Sequence, residues 1–554
     1  MKDYEHYEAI VVGAGPGGAA AAARLAKEGI ETIVLETGIE PGSKNVSGGL
    51  IYAEESSPYT IEELFPGFRE LATERPVTEY KIHSISGEKV ATFDLKNLHE
   101  YDTKWCDSVL RRKMDSWLAQ EVNSMTDETG GGLISGIHVN GLLRNGDGKI
   151  EGVTCDEIDP ITADVIIAAD GVTSVLARDS GLMNWERPEE WFQGVKVVVD
   201  FPRVDEIFDI EKNEGIAHLF SGDLFDGVRG GGFLYTNKES LSIGTVFHLD
   251  SLVEKRAETQ DLLDNLLTHP LLGQWLGEEY CELEYSAKLI PDSKKAANPN
   301  PYSGKLLLVG DAAGQMQAQG PIIKGMNHAV TAGALAAEAF VEMRERGSPM
   351  LAGERYELKL RQTGLMNKLQ PPAYKIVRRV GENKIATAIA DGILKSPLGR
   401  GSIRMLGDKM ERLYNVPLLS AMIPDTVTPY VTLPTIIGEE LGQIITSNNV
   451  VKPPSLAERI GNIAYNTDIG RPHIKLIDNS YASSGVAVTA CPVSAVGFGG
   501  GCYRAEEITG ENGEIEIQVS LDTQPCIECG TCAVVAKTKW SHPRGGKGVE
   551  FRYG

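Results

Sequence analysis

The 554 residues contain no uninterrupted apolar run of about 20, the length a membrane-spanning helix needs. The opening stretch "MKDYEHYEAIVVGAG" lacks the basic start and long apolar segment of a signal peptide. Positive charge is in deficit: 54 Lys and Arg stand against 77 Asp and Glu, a formal net charge of −23. Nucleic acid is therefore not expected as a partner, because its phosphates would be repelled. Cysteine is scarce over most of the chain, where Cys106, Cys155 and Cys281 are isolated and read as packing residues. Repeats, low-complexity tracts and coiled-coil heptads are missing too. Against these absences, five cysteines (Cys491, Cys502, Cys526, Cys529 and Cys532) crowd into the last 64 residues. Without an export signal, such clustering favours metal or redox chemistry over disulfides.

Glycine is plentiful, 61 residues, which suits nucleotide-binding turns. "YEAIVVGAGPGGAAAAARLAKEGIETIVLE" reads as strand, tight turn, Ala-rich helix and second strand. Gly13, Gly15 and Gly18 form G-x-G-x-x-G: the first for the turn, the second for backbone approach to a pyrophosphate, the third for helix–sheet packing. The helix N-terminus then faces the phosphates. Glu36 closes the second strand, where a carboxylate can accept from a ribose hydroxyl. No second fingerprint with its own strand–helix–strand context follows, so a separate NAD(P) domain is not expected.

Two later stretches choose among dinucleotides. "ADVIIAADGVTS" is a strand ending in Asp170-Gly171, and "GKLLLVGDAAGQMQAQGPIIKGMNHAV" is a strand followed by Gly310-Asp311 and a glycine-punctuated loop into a long helix. These resemble the FAD superfamily of aromatic hydroxylases and geranylgeranyl reductases. The resemblance implies that Asp311 meets the ribityl–pyrophosphate part of FAD. It also implies that the helix starting near Gly325, Met326 and Asn327 points its positive end at the flavin pyrimidine edge. "VLRRKMDSWLA" resembles the superfamily's arginine helix, leaving Arg111 as either an FAD contact or a surface helix arginine. Residues 185–290 alternate short β-type runs with turns, and "GGGFLYTNKESLSIGTVFHLD" reads as two strands. That region is a sheet domain, either one covering the flavin and carrying the acceptor or a plain structural sheet.

From Lys359 to Arg412 the balance reverses, with twelve basic residues against four acidic. "LYNVPLLSAMIPDTV" follows, and Pro417 and Pro424 bar a regular spanning helix there. A basic surface beside an apolar loop can rest on an anionic membrane, while a solvated helical face with a buried loop fits the same pattern. "SNNVVKPPSLAERIGNIAYNTD" reads as a domain boundary.

A bacterial ferredoxin half is C-x2-C-x2-C-x3-C-P, its fourth cysteine serving the other half's cluster. Cys526, Cys529 and Cys532 fill three places, but the fourth is Ala536. Conversely, Cys491-Pro492 fills a fourth place whose companions are Tyr481, Ser484 and Ala487. The surviving set, Cys491, Cys526, Cys529 and Cys532, suffices for one [4Fe–4S] centre. Structural zinc usually takes two separated C-x2-C knuckles and fits less well. Cys502 is left over as a spare buried thiol.

A flavin domain joined to a one-cluster module resembles the electron-transfer-flavoprotein:quinone oxidoreductase family, and more closely its prokaryotic FixC flavoproteins fused to a FixX-type ferredoxin-like module. The motifs are "PGSKNVSGG", "VLRRKMDSWLA", "GDAAG" and "GPIIKGMNHAV", then "YNTDIGRPHIKL", "ACP", "CIECGTC" and "PRGGKGVEFRYG". The resemblance implies an FAD, one [4Fe–4S] cluster, quinone as acceptor and an α/β electron-transfer flavoprotein of FixA/FixB type as donor, one able to bifurcate electrons. It implies a monotopic protein on the cytoplasmic face of the membrane, without a spanning helix. Gly230 and Gly231 match the family's quinone-site glycines.

The expected fold is α/β, α+β over the whole chain. A Rossmann-like FAD domain covers 1–184 and 291–345, with an inserted β-sheet quinone domain at 185–290. A basic helical region (346–455) and a ferredoxin-like domain (456–554) follow. Two rivals stay open: a flavoenzyme of geranylgeranyl-reductase type that saturates isoprenoid double bonds, and an electron-carrier subunit of a larger complex.

Overall fold

The computed structural model describes residues 4–43, 49–54, 56–96, 103–183, 187–277, 279–319, 322–369, 443–444, 451–461, 474–494, 501–509, 514–523, 525–536 and 538–540. Most of the net-basic segment, the Pro417–Pro424 loop and the closing "PRGGKGVEFRYG" lie outside them.

Two eight-stranded sheets carry the molecule. The first has at its centre the strand His6–Val12, flanked in parallel by Ile161–Ala168 and Thr32–Glu36. Leu306–Leu308 and Gly132–Ser135 extend it on either side, also in parallel. Parallel strands are buried on both faces and read as continuous apolar runs, and Ala9, Ile10, Val11 and Val12 are all buried. Ala9, Val11 and Val34 face the helices Pro16–Lys27 and Met326–Glu345, while Ile10, Val12, Ile33 and Leu35 face a separate cluster on the opposite side. The helices approach backbone to backbone: a Cβ on Gly333 would stand 2.1 Å from the Gly17 carbonyl oxygen. The run of alanines after Gly18 is thus a packing surface.

The second sheet runs Glu282–Pro291, Trp191–Asp200, Ser240–His248, Gly230–Thr236, Ile216–Gly222, Glu79–Ser86, Lys89–Lys96 and Gln443–Ile444. Neighbours are antiparallel except Ile216–Gly222 with Glu79–Ser86. Two of its strands thus come from within residues 1–184; their pairing crosses more than a hundred residues and leaves no local trace. One face, with Val195, Val197 and Val199, packs on leucines of the helices Leu249–Lys255, Thr259–Thr268 and Pro270–Leu276. The other carries Tyr80, Leu219, Phe233 and Tyr235 against Leu50 and Tyr52, and Phe192, Val246 and Ile290 against Met316 and Ile323.

Toward the C-terminus short helices (Tyr481–Ser484, Val486–Ala490, Thr531–Val535) accompany two antiparallel pairs, Tyr503–Thr509 with Ile515–Leu521 and Ile474–Leu476 with Thr538–Trp540. These elements share the apolar cluster of the second sheet. Its edge strand is covered by the cysteine loop: Leu289 N–H donates to the Cys529 carbonyl at 2.9 Å, and Lys288 Nζ to the Glu528 carbonyl at 3.0 Å.

Candidate nucleotide and thiolate sites

The glycine turn is dictated by contact. Gly13 has φ +95°, and a Cβ there would lie 2.5 Å from the Ala169 carbonyl oxygen; on Gly18 a Cβ would lie 1.8 Å from the Gly13 oxygen. Gly15 caps the helix Pro16–Lys27, with Arg111 Nη2 3.7 Å from its Cβ position. Glu36 accepts from Ala14 N–H at 2.8 Å and Gly38 N–H at 2.7 Å, using one lone pair on each oxygen.

Arg111 is four residues before Asp115 on one helix and pairs with it through two bonds, 2.8 and 2.6 Å. Burial opposes its charge, and the Asp115 carboxylate more than offsets that. Burial pushes the Asp311 carboxyl up, with Arg111 and Lys288 pulling it back. Arg111 therefore stands between the glycine turn and Asp311. Gly310 has φ +66°, and its N–H donates to Gln315 Oε1 at 2.8 Å. Asp170 holds its own turn: its carboxylate accepts from Ser174 Oγ at 2.6 Å and Val175 N–H at 2.9 Å, with Gly171 at φ +75° between them. Gly325 precedes the 20-residue helix that opens at Met326. Asn327, next in that first turn, is buried, and its Oδ1 has no hydrogen-bond partner among the described residues. A buried acceptor left open at a helix N-terminus suits a polar ring edge.

Gly230 and Gly231 lie in the strand Gly230–Thr236. A Cβ on Gly230 would be 2.1 Å from the Val246 oxygen, and one on Gly231 2.6 Å from the Phe220 oxygen. Sheet packing by itself requires glycine at both.

Cys491 ends the helix Val486–Ala490, and Cys526, Cys529 and Cys532 lie on the loop and first helical turn that cover the sheet edge. All four are buried in one cluster. Gly530, at φ +94°, lets the loop wedge between the two sheets; a Cβ would stand 3.2 Å from Leu289 Cδ1 and 3.3 Å from Thr173 Cγ2. Glu528 N–H donates to Cys526 Sγ at 3.3 Å, and the Cys529 thiol meets Thr531 Oγ1 at 3.4 Å. Burial pushes the Cys529 thiol up to about 12 and Cys532 well above its ordinary value. At Cys491, by contrast, hydrogen bonding with Cys502 lowers the thiol against the opposing effect of burial. Among the described residues no three His, Cys, Asp or Glu side chains converge on one metal ion. The buried all-thiol donor set would suit a four-iron centre chemically.

Sequence reasoning passed over Lys288, Arg459 and the surroundings of Cys502. Arg459 is buried, with both ends of its fork on Glu282 (2.9 and 2.8 Å), and with Asp264 at 2.8 Å and Gln260 at 3.0 Å. Gln260 and Tyr285 each donate to the Pro492 carbonyl at 2.7 Å, next to Cys491. An arginine four residues after "KPPS" and a lysine inside "EYSAKLIP" were the available signals.

Residues 11–56 match the family described as the NAD(P)-binding Rossmann-like domain. Protein FixC of Escherichia coli O157:H7 is 37% identical over 336 residues, 60% of this chain and 76% of that protein. A probable electron transfer flavoprotein-quinone oxidoreductase of Escherichia coli K12, YdiS, is 33% identical over 371 residues, 66% of this chain and 84% of that protein. Among solved structures, a geranylgeranyl bacteriochlorophyll reductase-like protein from Thermoplasma acidophilum superposes with a TM-score of 0.53 at 20% identity, covering 78% of this chain and 98% of that one. That last likeness is one of fold.

Proposed function

The chain belongs to the oxidoreductase family of FixC and the electron-transfer flavoprotein–quinone oxidoreductases, and from that premise we propose that it carries electrons from a reduced electron-transfer flavoprotein through a [4Fe–4S] centre and FAD to a quinone. One observation carries the reading: the Cys526–Cys532 loop is seated against both the acceptor sheet, at Leu289, and the turn after Asp170, at Thr173. Tunnelling between two bound redox groups needs that proximity.

The Gly13–Gly18 turn would hold the FAD pyrophosphate, and the remaining lone pairs of Glu36 would accept from its ribose. Arg111 and Asp311 flank the chain joining pyrophosphate to flavin, and Gly310 and Gly171 let the backbone turn beside it. Asp170 holds the 170–175 turn in place. The helix end at Gly325, Met326 and Asn327 meets the ring edge and favours negative charge there. Cys491, Cys526, Cys529 and Cys532 hold the cluster. Bound FAD supplies two-electron storage and the cluster supplies single-electron transfer. The apolar, half-buried side chains Phe233, Tyr235, Val246, Ile290, Ile322 and Ile323, between the sheet and the paired strands Gln317–Gln319 and Ile322–Lys324, offer a flat quinone its site. The Gly230–Gly231 backbone borders it.

The same proposal includes a donor of α/β, FixA/FixB type, bifurcating in its own subunits, and peripheral contact of the net-basic 359–412 segment with the cytoplasmic face of the membrane. Among the described residues no helix is long and apolar enough to cross a membrane. One rival reading is reduction of isoprenoid double bonds. Anaerobically photoreduced protein, mixed rapidly with a short-chain quinone or with a geranylgeranyl compound, separates the two. Rapid flavin reoxidation by the quinone alone supports the proposal. Reoxidation by the alkene alone, or by neither, overturns it.

A further inference from the structure

Cys502 belongs to neither ferredoxin-type half, yet the fold brings it to the other thiols. It precedes the strand Tyr503–Thr509 and is buried to 2% exposure. Its backbone is pinned on both sides: its N–H donates to the Val493 carbonyl at 3.3 Å, and its carbonyl accepts from Asp522 N–H at 2.7 Å. The first bond ties it to the Cys491-Pro492-Val493 segment. The second ties it to the end of the strand that leads into the Cys526 loop. Its thiol neighbours those of Cys491 and Cys526, all three buried in one cluster. Of the remaining pair, Cys529 has another neighbour, Thr531 Oγ1 at 3.4 Å.

Resting on the cluster reading above, we propose that Cys502 is a reserve ligand of the iron–sulfur centre, able to replace Cys491 or Cys526 but not Cys529 or Cys532. The exchange is redox-neutral. The Cys502 thiol releases its proton, its sulfur forms a bond to the iron, the iron–sulfur bond to Cys491 breaks, and the freed thiolate takes up a proton. No oxidant or reductant enters. A thiol already beside the departing ligand needs only a side-chain rotation to reach its iron, and thiolate is the donor such iron prefers. A packing residue would not need sulfur at this place, nor a position beside two ligands from separate segments.

The test uses the full chain, purified without oxygen, as wild type and as Cys491→Ala, Cys526→Ala, Cys532→Ala and Cys491→Ala/Cys502→Ala. Iron and acid-labile sulfide are counted per chain, low-temperature EPR is recorded after dithionite, and flavin content reports folding. The expected result is roughly four irons in the wild type, in Cys491→Ala and in Cys526→Ala, the last two with shifted EPR signals. Cys532→Ala and the double variant should keep flavin but hold less than about one iron. Iron lost from flavin-loaded Cys491→Ala and Cys526→Ala as completely as from the double variant overturns the reserve role while leaving the cluster reading intact. Iron retained in Cys532→Ala overturns the selectivity. A flavin-loaded wild type without iron overturns the cluster reading itself.

Discussion

Replacing Arg459 with methionine strands a buried carboxylate. Arg459 is 1% exposed and the Glu282 side chain 3%, so the pair is screened from water on both sides, while Asp264 keeps 38% exposure and can rehydrate. Taking away one partner of a buried pair costs about 3–5 kcal/mol, chiefly through the charge left behind. The arginine ties the Leu456–Gly461 helix to the sheet edge, and through Gln260 to the Pro492 carbonyl. The loss therefore falls on docking of the C-terminal cysteine segment. At about 1.4 kcal/mol per decade, the undocked population rises by roughly two to three and a half orders of magnitude. Native-state proteolysis reads it, because cleavage follows the open population when opening and closing are fast. Cleavage beyond residue 456 should accelerate by roughly a hundredfold or more while flavin stays bound. Adding Glu282→Gln removes the stranded charge and should recover at least about 1 kcal/mol, a coupling of the size contacting residues show. An increase below about fivefold, or strictly additive losses, would refute the reasoning.

Three further outcomes follow from the geometry. Gly13→Ala places a Cβ 2.5 Å from the Ala169 carbonyl oxygen at φ +95°, so purified protein should lose most of its FAD absorbance; full flavin occupancy would contradict the turn. Gly530→Ala forces a side chain into φ +94° at a cost of about 1–2 kcal/mol and presses on Leu289 and Thr173. It should slow flavin reduction by the cluster without removing iron, as rapid-mixing spectroscopy would register. His83 and His218 stack with ring centroids 5.1 Å apart beside Phe208, Phe220 and Trp275; burial, then nearby Lys81, lowers His83 to about 3, and burial lowers His218 well below its ordinary value. Between the unfolded value near 6.5 and about 3 the unfolded chain binds more protons, so stability falls as pH falls through that window. The loss is about 1.6 kcal/mol for His83 from pH 6.5 to 5, with His218 adding in the same direction, and a thermal midpoint indifferent to pH across that range would sink it.

Legibility in the sequence tracked how local each constraint is. The Gly13–Gly18 turn could be read from spacing because its sterics operate within six residues and against one neighbouring strand. Glu36 was placed by the buried strand it ends, while Asp311 was expected from a resemblance and follows the buried strand Leu306–Leu308. Asp170 was recognised by position, but its carboxylate caps the turn after it, a bond made with Ser174 and Val175. Gly230 and Gly231 stood out for an acceptor, whereas close strands alone demand them. Arg459 stayed hidden because its partners are 177 and 195 residues upstream. Cys502 was read as spare because a template of spacings is silent about a residue that reaches the site by strand pairing.

Iron, acid-labile sulfide and flavin, counted per chain in anaerobically purified protein alongside its dithionite-reduced EPR spectrum, test the central claim most directly. The account predicts one FAD, roughly four irons and a single reduced-cubane signal. Zinc in place of iron, roughly eight irons, or no metal with flavin present would contradict it.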